Sequence, residues 1–598
     1  MSQKPAAIHY IIDHDAVHQH CFSVKLIIDR PAAGGQLLTL PAWIPGSYMI
    51  RDFAKHILTL TAEDQHGHTI TAVKIDKQSW QISPCDGPLT INYRVYAFDY
   101  SVRGSYLDQH FAFFNGTSVF LAVDGQTEQP VNLKIKGSSH PACQNWRVAT
   151  SMPASSHTQR YEFGEYHADN YNQLIDHPVL LADFDLIQFK VAEVDFDMVF
   201  VGAQQLNKER IKRDVSQICE HHFNLFGNDL PIQHYVFISL VSDNGFGGLE
   251  HRASTALMCG RNDLPSLGSD SKITDGYRTF LSLCSHEFFH TWLVKRIRPQ
   301  EHIDVDLSRE AYTRQLWIYE GFTSFYDDMA LPRSGVIEQS SYLELLGQLL
   351  TRIYRNGGRL QQSVTESSFD AWTRFYQQDE NANNAIVSYY AKGALIAICL
   401  DLLIRQQTGQ QQSLDHVLQS LWQQHGKTGT GTEQDVIQRI TASMGIDCQD
   451  FLQLALNTTE ELPIDALLAK QGLKVCYQTR STMLDKGGKK NTANIKYQFG
   501  ATTVSDNNQL KITTVSNGTP ASQAGLAKGD TLVALNGWQI NSDNLQALLD
   551  QQQGEEVELI AFRRGKLMQL NLPVKPAPQD SIYLEIVDQN RVNQWLDR

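Results

Sequence analysis

The sequence predicts a multidomain α+β protein, on three observations. The chain has 598 residues, more than one hydrophobic core serves, so about three to five domains are expected. Residues 1 to about 165 read as short alternating strands without a helical pattern between them, whereas helical spacing dominates after Asp275. A small unit of strands and tight turns follows from about residue 490.

Taken in order, alternating runs at Ser23–Ile28, Gln36–Leu40, Ile57–Leu60, Leu89–Tyr96, Val119–Val123 and Val131–Ile135 are separated by turn residues such as Pro31–Gly35. They predict a β-sandwich-like N-terminal domain, placed at 1–168. The next domain, 169–475, opens with a buried strand at Phe196–Gly202, helical spacing over Asn207–Phe223 and a strand at His234–Val241. Helices are then expected over about 275–295, 309–331, 336–356, 389–408, 413–425 and 433–445. The last domain, 476–598, is entered through the Lys- and Gly-rich stretch 486–490. It carries the Asn536-Gly537 hairpin signal between two strands.

Composition narrows the function. Apolar residues make up 42% of the chain, which is ordinary for a globular protein. Lys+Arg 51 against Asp+Glu 65 gives a net charge of −14, which argues against nucleic acid as the main partner. Nine scattered cysteines without a C-x-x-C pair form neither a disulfide framework nor a thiolate metal site. The longest apolar stretch, Gly393–Ile404, contains Asp401 and reads as a core helix, too short to span a bilayer. The N-terminus shows no apolar run behind its first lysine, so a cytoplasmic protein is expected.

The strongest chemical signal is His286-Glu287-Phe288-Phe289-His290. Histidines four apart share one helix face and can reach one ion, and Glu287 beside them suits a general base acting on water. Zinc wants a third protein ligand and an open position. Glu301, Glu310 and Glu320 follow. Glu320 is favoured because it sits in the apolar run Leu316-Trp317-Ile318-Tyr319-Glu320-Gly321-Phe322, where a carboxylate needs a partner. Glu310 lies in the polar stretch Ser308–Arg314.

The segments HEFFHTWLVKRIRP (286–299) and LWIYEGFTSFYDD (316–328) resemble the glycyl aminopeptidase family of gluzincin-type zinc peptidases. PAWIPGSYMIRDFA (41–54) and VYAFDYSVRGSYLD (95–108) resemble the same family. One departure is Leu293, where the family pattern favours Asn after the tryptophan. PASQAGLAKGDTLVALNG (520–537) resembles a PDZ domain. The resemblance implies an N-terminal β domain, a thermolysin-like catalytic domain and a C-terminal PDZ domain. It implies one zinc per chain on His286, His290 and Glu320, with Glu287 as base. It also implies substrates with a free amino terminus and a small first residue, glycine or alanine.

Two further stretches bear on the site. Asn244-Gly245-Phe246-Gly247-Gly248-Leu249-Glu250-His251 precedes Ser254–Cys259, which reads as an exposed edge strand able to pair with an extended peptide. Gly247 and Gly248 permit close backbone approach to a substrate. The run resembles the Gly-x-Met-Glu-Asn motif of related aminopeptidases, which implies that Glu250 binds the substrate ammonium; the bland reading is an exposed hairpin glutamate. His251 is either a site residue or a packed loop histidine. Tyr390-Ala391-Lys392-Gly393 resembles the Tyr-x-Lys-Gly run of zincin-type aminopeptidases, which implies that Tyr390 donates to the oxyanion; the alternative is a core aromatic. Tyr389 reads as packing. Trp43, Tyr48, Arg51 and Asp52 stand outside the catalytic set.

The expected function is therefore a zinc aminopeptidase acting on peptides. Its rivals are a thermolysin-like endopeptidase and a PDZ binding protein with a vestigial zinc site. The PDZ-like unit is a candidate for binding a peptide carboxyl terminus through Tyr497-Gln498-Phe499-Gly500. Neither nucleic acid nor membrane is expected as a partner.

Overall fold

The structure, a computed structural model, describes residues 6–268, 272–507 and 509–597. Residues 1–5, at the terminus read above for a leader, lie outside them. The chain divides into two units, Met1–Ala311 with Leu421–Thr432, and Tyr312–Ser420 with Glu433–Arg598.

The first unit opens with the β-rich domain. Its seven-stranded sheet runs in the order Gly164–Ala168, Val131–Ile135, Ile8–Ala16, Cys21–Ile28, Leu89–Tyr96, Ile57–Glu63, Thr69–Ile70, and two four-stranded sheets accompany it. Alternation explains the strands: Leu89, Ile91, Tyr93 and Val95 are buried while the residues between them are not. Ile8–Ala16 follows the same rule, with Ile8, Tyr10 and Ile12 inside. The core continues into the next sheet through Val199, Val236, Ile238, Leu249 and Ala256. The N-terminal domain thus covers one face of the sheet that carries the site.

That sheet is formed by β1 (Asp185–Val191), β2 (Val194–Val201), β3 (His234–Ser242), β4 (Gly247–Glu250) and β5 (Ser254–Gly260), in the order β1-β2-β3-β5-β4. This corrects the expected edge. Ser254–Gly260 pairs in parallel with β3 on one side and antiparallel with β4 on the other, so it is an interior strand. The glycine-rich run itself forms the open edge. Two glycines hide a strand from pattern reading because they carry no side chain to alternate.

Helices α1 (Lys208–Leu225) and α2 (Asp275–Phe289) follow the central strands. The Thr274 side chain accepts from the amide of Tyr277 and caps α2. An aromatic cluster fixes its C-terminal end: Phe288 lies 5.0 Å from Tyr235, 5.5 Å from Phe196 and 5.6 Å from Phe223 between ring centres. Burying such a ring contributes about 1.5–3 kcal/mol.

The second unit is helical, then PDZ-like. The helix expected over 309–331 is broken into α3 (Leu316–Tyr319) and α4 (Gly321–Arg333), with Glu320 at the junction. α5 (Tyr389–Gln407) matches expectation and is buried along nearly its whole length. Among the described residues no helix is long and apolar enough to cross a membrane. The PDZ unit has its own core, built on Phe499, Leu510, Ile512, Leu535, Leu545, Leu559 and Leu572.

The C-terminal segment leaves the PDZ sheet. β6 (Leu473–Gln478) pairs antiparallel with β7 (Ser581–Ile586). The following helix α6 (Gln589–Leu596) buries Trp595, whose Nε1 donates to Asp401 of α5 at 2.9 Å. The PDZ sheet is therefore inserted between two paired strands. Cutting the chain near Lys474 would strip α6 from α5 and leave Asp401 short of a donor. The informative deletion is internal, with a short linker replacing residues 497–576. It is expected to stay folded and to retain the metal binding and peptide cleavage expected from the sequence; a folded deletion variant that lacks an activity the full chain has would show that the PDZ unit shapes the site.

Candidate metal centre

α2 ends at the motif. Glu287 and His290 are 4% and 1% exposed, and His286 is half-buried. The two imidazole rings lie 4.7 Å apart, nearly perpendicular. Nδ1 of His290 lies 2.9 Å from the carbonyl of Leu293, to which only a protonated nitrogen can donate. That bond fixes the tautomer and leaves the Nε2 lone pair for a metal. Leu293 acts here through its backbone oxygen, which any side chain at that position would supply.

The open edge strand β4 passes directly over Glu287. A Cβ on Gly248 would stand 2.0 Å from Glu287 Oε1. Only glycine lets the strand come this close. Arg103, from the N-terminal domain, donates to the Gly248 carbonyl at 3.2 Å and holds the strand from outside.

Glu250 ends β4 and is 4% exposed. One ligand atom each from Glu250, Glu287 and His290 lie within 4.8 Å of one another. Oε1 of Glu250 is buried and accepts no hydrogen bond from any described residue. The N-terminal domain backs this carboxylate: a Cβ on Gly46, whose φ is +96°, would stand 2.4 Å from Oε1. Glu250 opens onto a cavity of about 370 Å³ that Trp43, Gly46, Tyr48, Asp176, His251 and Lys295 also line. The carboxylate is thus enclosed, and the reading of an exposed hairpin glutamate fails. Arg51 and Asp52 have structural partners, Ser47 and Lys77.

In the second unit, Glu320 is 2% exposed between α3 and α4. Glu301, by contrast, is exposed and Glu310 half-buried. Tyr390 lies in the first turn of α5, which Ser388 caps through the amide of Ala391. Its hydroxyl lies 3.3 Å from that of Tyr376. Burial first, then the Glu320 carboxylate, push the Tyr390 pKa well above its ordinary value, so the phenol keeps its proton. Tyr389 is fully enclosed, as expected of a packing residue.

Comparison with known proteins bears on these residues. Residues 9–183 match the Peptidase M61 N-terminal domain, 279–396 match the M61 glycyl aminopeptidase and 498–574 match a PDZ domain. A solved structure of an aminopeptidase N family protein from Idiomarina loihiensis is 42% identical. It covers 98% of this chain and 100% of its own, with a TM-score of 0.96. The chain belongs to the M61 glycyl aminopeptidase family. An M1 zinc metallopeptidase from Deinococcus radiodurans is 11% identical over 76% of this chain and 94% of its own, at a TM-score of 0.46. Among curated proteins no match is found.

This M61 enzyme is a metallopeptidase, with a β-rich N-terminal domain, a peptidase domain and a PDZ domain. Sequence reasoning missed Gly46, Arg103, Asp176, Lys295 and Tyr376. Gly46 and Arg103 fall inside the two N-terminal segments that resembled the family, which was the available signal. Lys295 likewise falls inside the 286–299 segment; Asp176 and Tyr376 carried none.

For Tyr390, replacement by Phe keeps the ring and removes one hydroxyl. In the M61 enzyme it is expected to lower kcat about 10²–10³-fold with little change in KM or Tm. Unchanged kcat would return Tyr390 to a packing role.

Proposed function

We propose that the protein is a zinc aminopeptidase that removes a small first residue, glycine or alanine, from peptides with a free amino terminus. The observation that carries this is the enclosed Glu250 carboxylate, with one oxygen that accepts no hydrogen bond from any described residue. A buried carboxylate without a donor is unfavourable by several kcal/mol. An ammonium ion at the end of a peptide chain relieves that cost; an internal amide does not.

His286, His290 and Glu320 are the proposed ligands of one zinc. Two imidazoles and a carboxylate, with one imidazole tautomer already fixed, suit that ion. Bound there, zinc supplies Lewis-acid polarisation of the carbonyl and lowers the pKa of water. The peptide extends along the free edge of β4, its backbone pairing with Gly247–Glu250. Glu250 holds the ammonium and so sets the cleavage position at the first bond. Glu287 takes the proton from the attacking water and delivers it to the departing amine. The Tyr390 hydroxyl donates to the oxygen that gains charge. The preference for a small first residue rests on the family description alone. The PDZ domain is proposed to take a peptide carboxyl terminus at Tyr497–Gly500.

The test is a panel of free and N-acetylated peptides of one sequence with varied first residues. Free glycyl and alanyl peptides are expected to be cut at the first bond and acetylated ones to resist. Equal internal cleavage of both would install the endopeptidase rival.

A further inference from the structure

Next to Glu250 stands a histidine that hydrolysis itself does not require. His251 is 1% exposed, and its Nδ1 lies 3.2 Å from Oδ1 of Asp176. Asp176 accepts in addition from Lys295 Nζ at 2.8 Å and from the backbone amide of Arg252 at 3.0 Å. Burial on its own would raise the Asp176 pKa; Lys295 and His251 outweigh it and hold the carboxyl well below the usual range. Asp176 is thus an ionised acceptor, and Nδ1 of His251 carries the proton.

Lys295 already pairs with Asp176. An imidazole whose Nδ1 donates to that carboxylate turns the lone pair of Nε2 towards the cavity. That nitrogen is buried and has no hydrogen-bond partner among the described residues, as is the case for Oε1 of the adjacent Glu250. Both residues line the cavity of about 370 Å³. Two buried acceptors that find no donor among the described residues and belong to residues lining one cavity suit a small cation bearing at least two N–H groups.

We propose that Nε2 of His251 is the second acceptor for the α-ammonium of the substrate, beside Glu250, and that Asp176 and Lys295 are positioning residues that fix its tautomer. This rests on the aminopeptidase reading and adds a selectivity to it. A primary α-ammonium satisfies both acceptors, whereas an N,N-dimethylated amino terminus has one N–H and satisfies one.

The experiment measures equilibrium binding of Gly-Ala-Ala and its N,N-dimethyl form by calorimetry. It uses the full chain carrying Glu287→Gln and loaded with metal, so that peptide binds without being cut. In that background His251→Leu is expected to weaken Gly-Ala-Ala about 10-fold or more, the scale of a hydrogen bond to a charged group. It should also shrink the penalty for dimethylation, since the lost N–H no longer has a partner. His251→Gln, whose amide oxygen accepts, should recover most of the affinity. Asp176→Asn reads the same contact without removing the ring: its amide can donate to Nδ1, shift the ring proton to Nε2 and weaken binding. It serves should His251→Leu fail to fold. Glu250→Gln separates the two claims. If Glu250→Gln weakens binding while His251→Leu and Asp176→Asn leave it unchanged, the second acceptor is overturned and the aminopeptidase reading stands. If Glu250→Gln has no effect, both fall.

Discussion

Glu287→Gln is expected to keep its full complement of zinc and lose turnover by about 10²–10⁴-fold, the contribution of a positioned general base. The substitution changes one oxygen to an amide nitrogen and preserves the volume. That matters here, because Gly248 and Glu287 are so closely apposed that added bulk on either would move the strand. The residue is not among the proposed ligands, so metal content measured by elemental analysis should not change. Glu320→Ala is the counterpart. It removes a proposed ligand and should strip most of the zinc, along with activity. Glu310→Ala should spare both. Full zinc in Glu320→Ala, with loss in Glu310→Ala instead, would transfer the third ligand position to Glu310. Retained turnover in Glu287→Gln would remove the base from the mechanism.

The second large effect concerns Glu250. Glu250→Ala is expected to lower kcat/KM for free glycyl and alanyl peptides tens- to thousands-fold, because losing a buried charged partner costs about 2–5 kcal/mol. The same change should narrow the gap between free and acetylated peptides. Removing the carboxylate abolishes the cost of placing a neutral group beside it, and it opens space next to Gly46. Folding should survive, since Oε1 accepts no hydrogen bond from any described residue and its removal orphans no donor there. An unchanged kcat/KM would end the aminopeptidase reading.

These expectations differ in how far they were legible beforehand. The helix with its two histidines was readable because i, i+4 spacing puts residues together by local geometry alone. The Asn536-Gly537 hairpin was readable because its positive-φ residues, at 46° and 79°, favour those two amino acids. The continuous helix read around Glu320 was wrong in detail: an apolar run says that a segment is buried, and says nothing of where its axis breaks. The edge strand was wrong for a similar reason. Whether a strand is interior or open depends on which neighbours pair with it, and Ser254–Gly260 acquires its second neighbour from the glycine-rich strand just before it, Gly247–Glu250.

By itself, then, the sequence determined the local pieces: the metal-binding motif on a helix, an enclosed acid at Glu320, a glycine-rich run ending in Glu250 and a PDZ domain. Tertiary structure alone decided what stands around Glu250. Gly46 is 204 residues away in the chain and Arg103 is 145 residues from Gly248, and both reach the strand because the core of the N-terminal domain is continuous with the central sheet. Asp176 reaches His251 from 75 residues away, and Tyr376 meets Tyr390 across a 14-residue excursion. Local pattern encodes which face of an element is apolar. It does not encode which polar group of a distant element arrives beside it, because that depends on how whole layers pack.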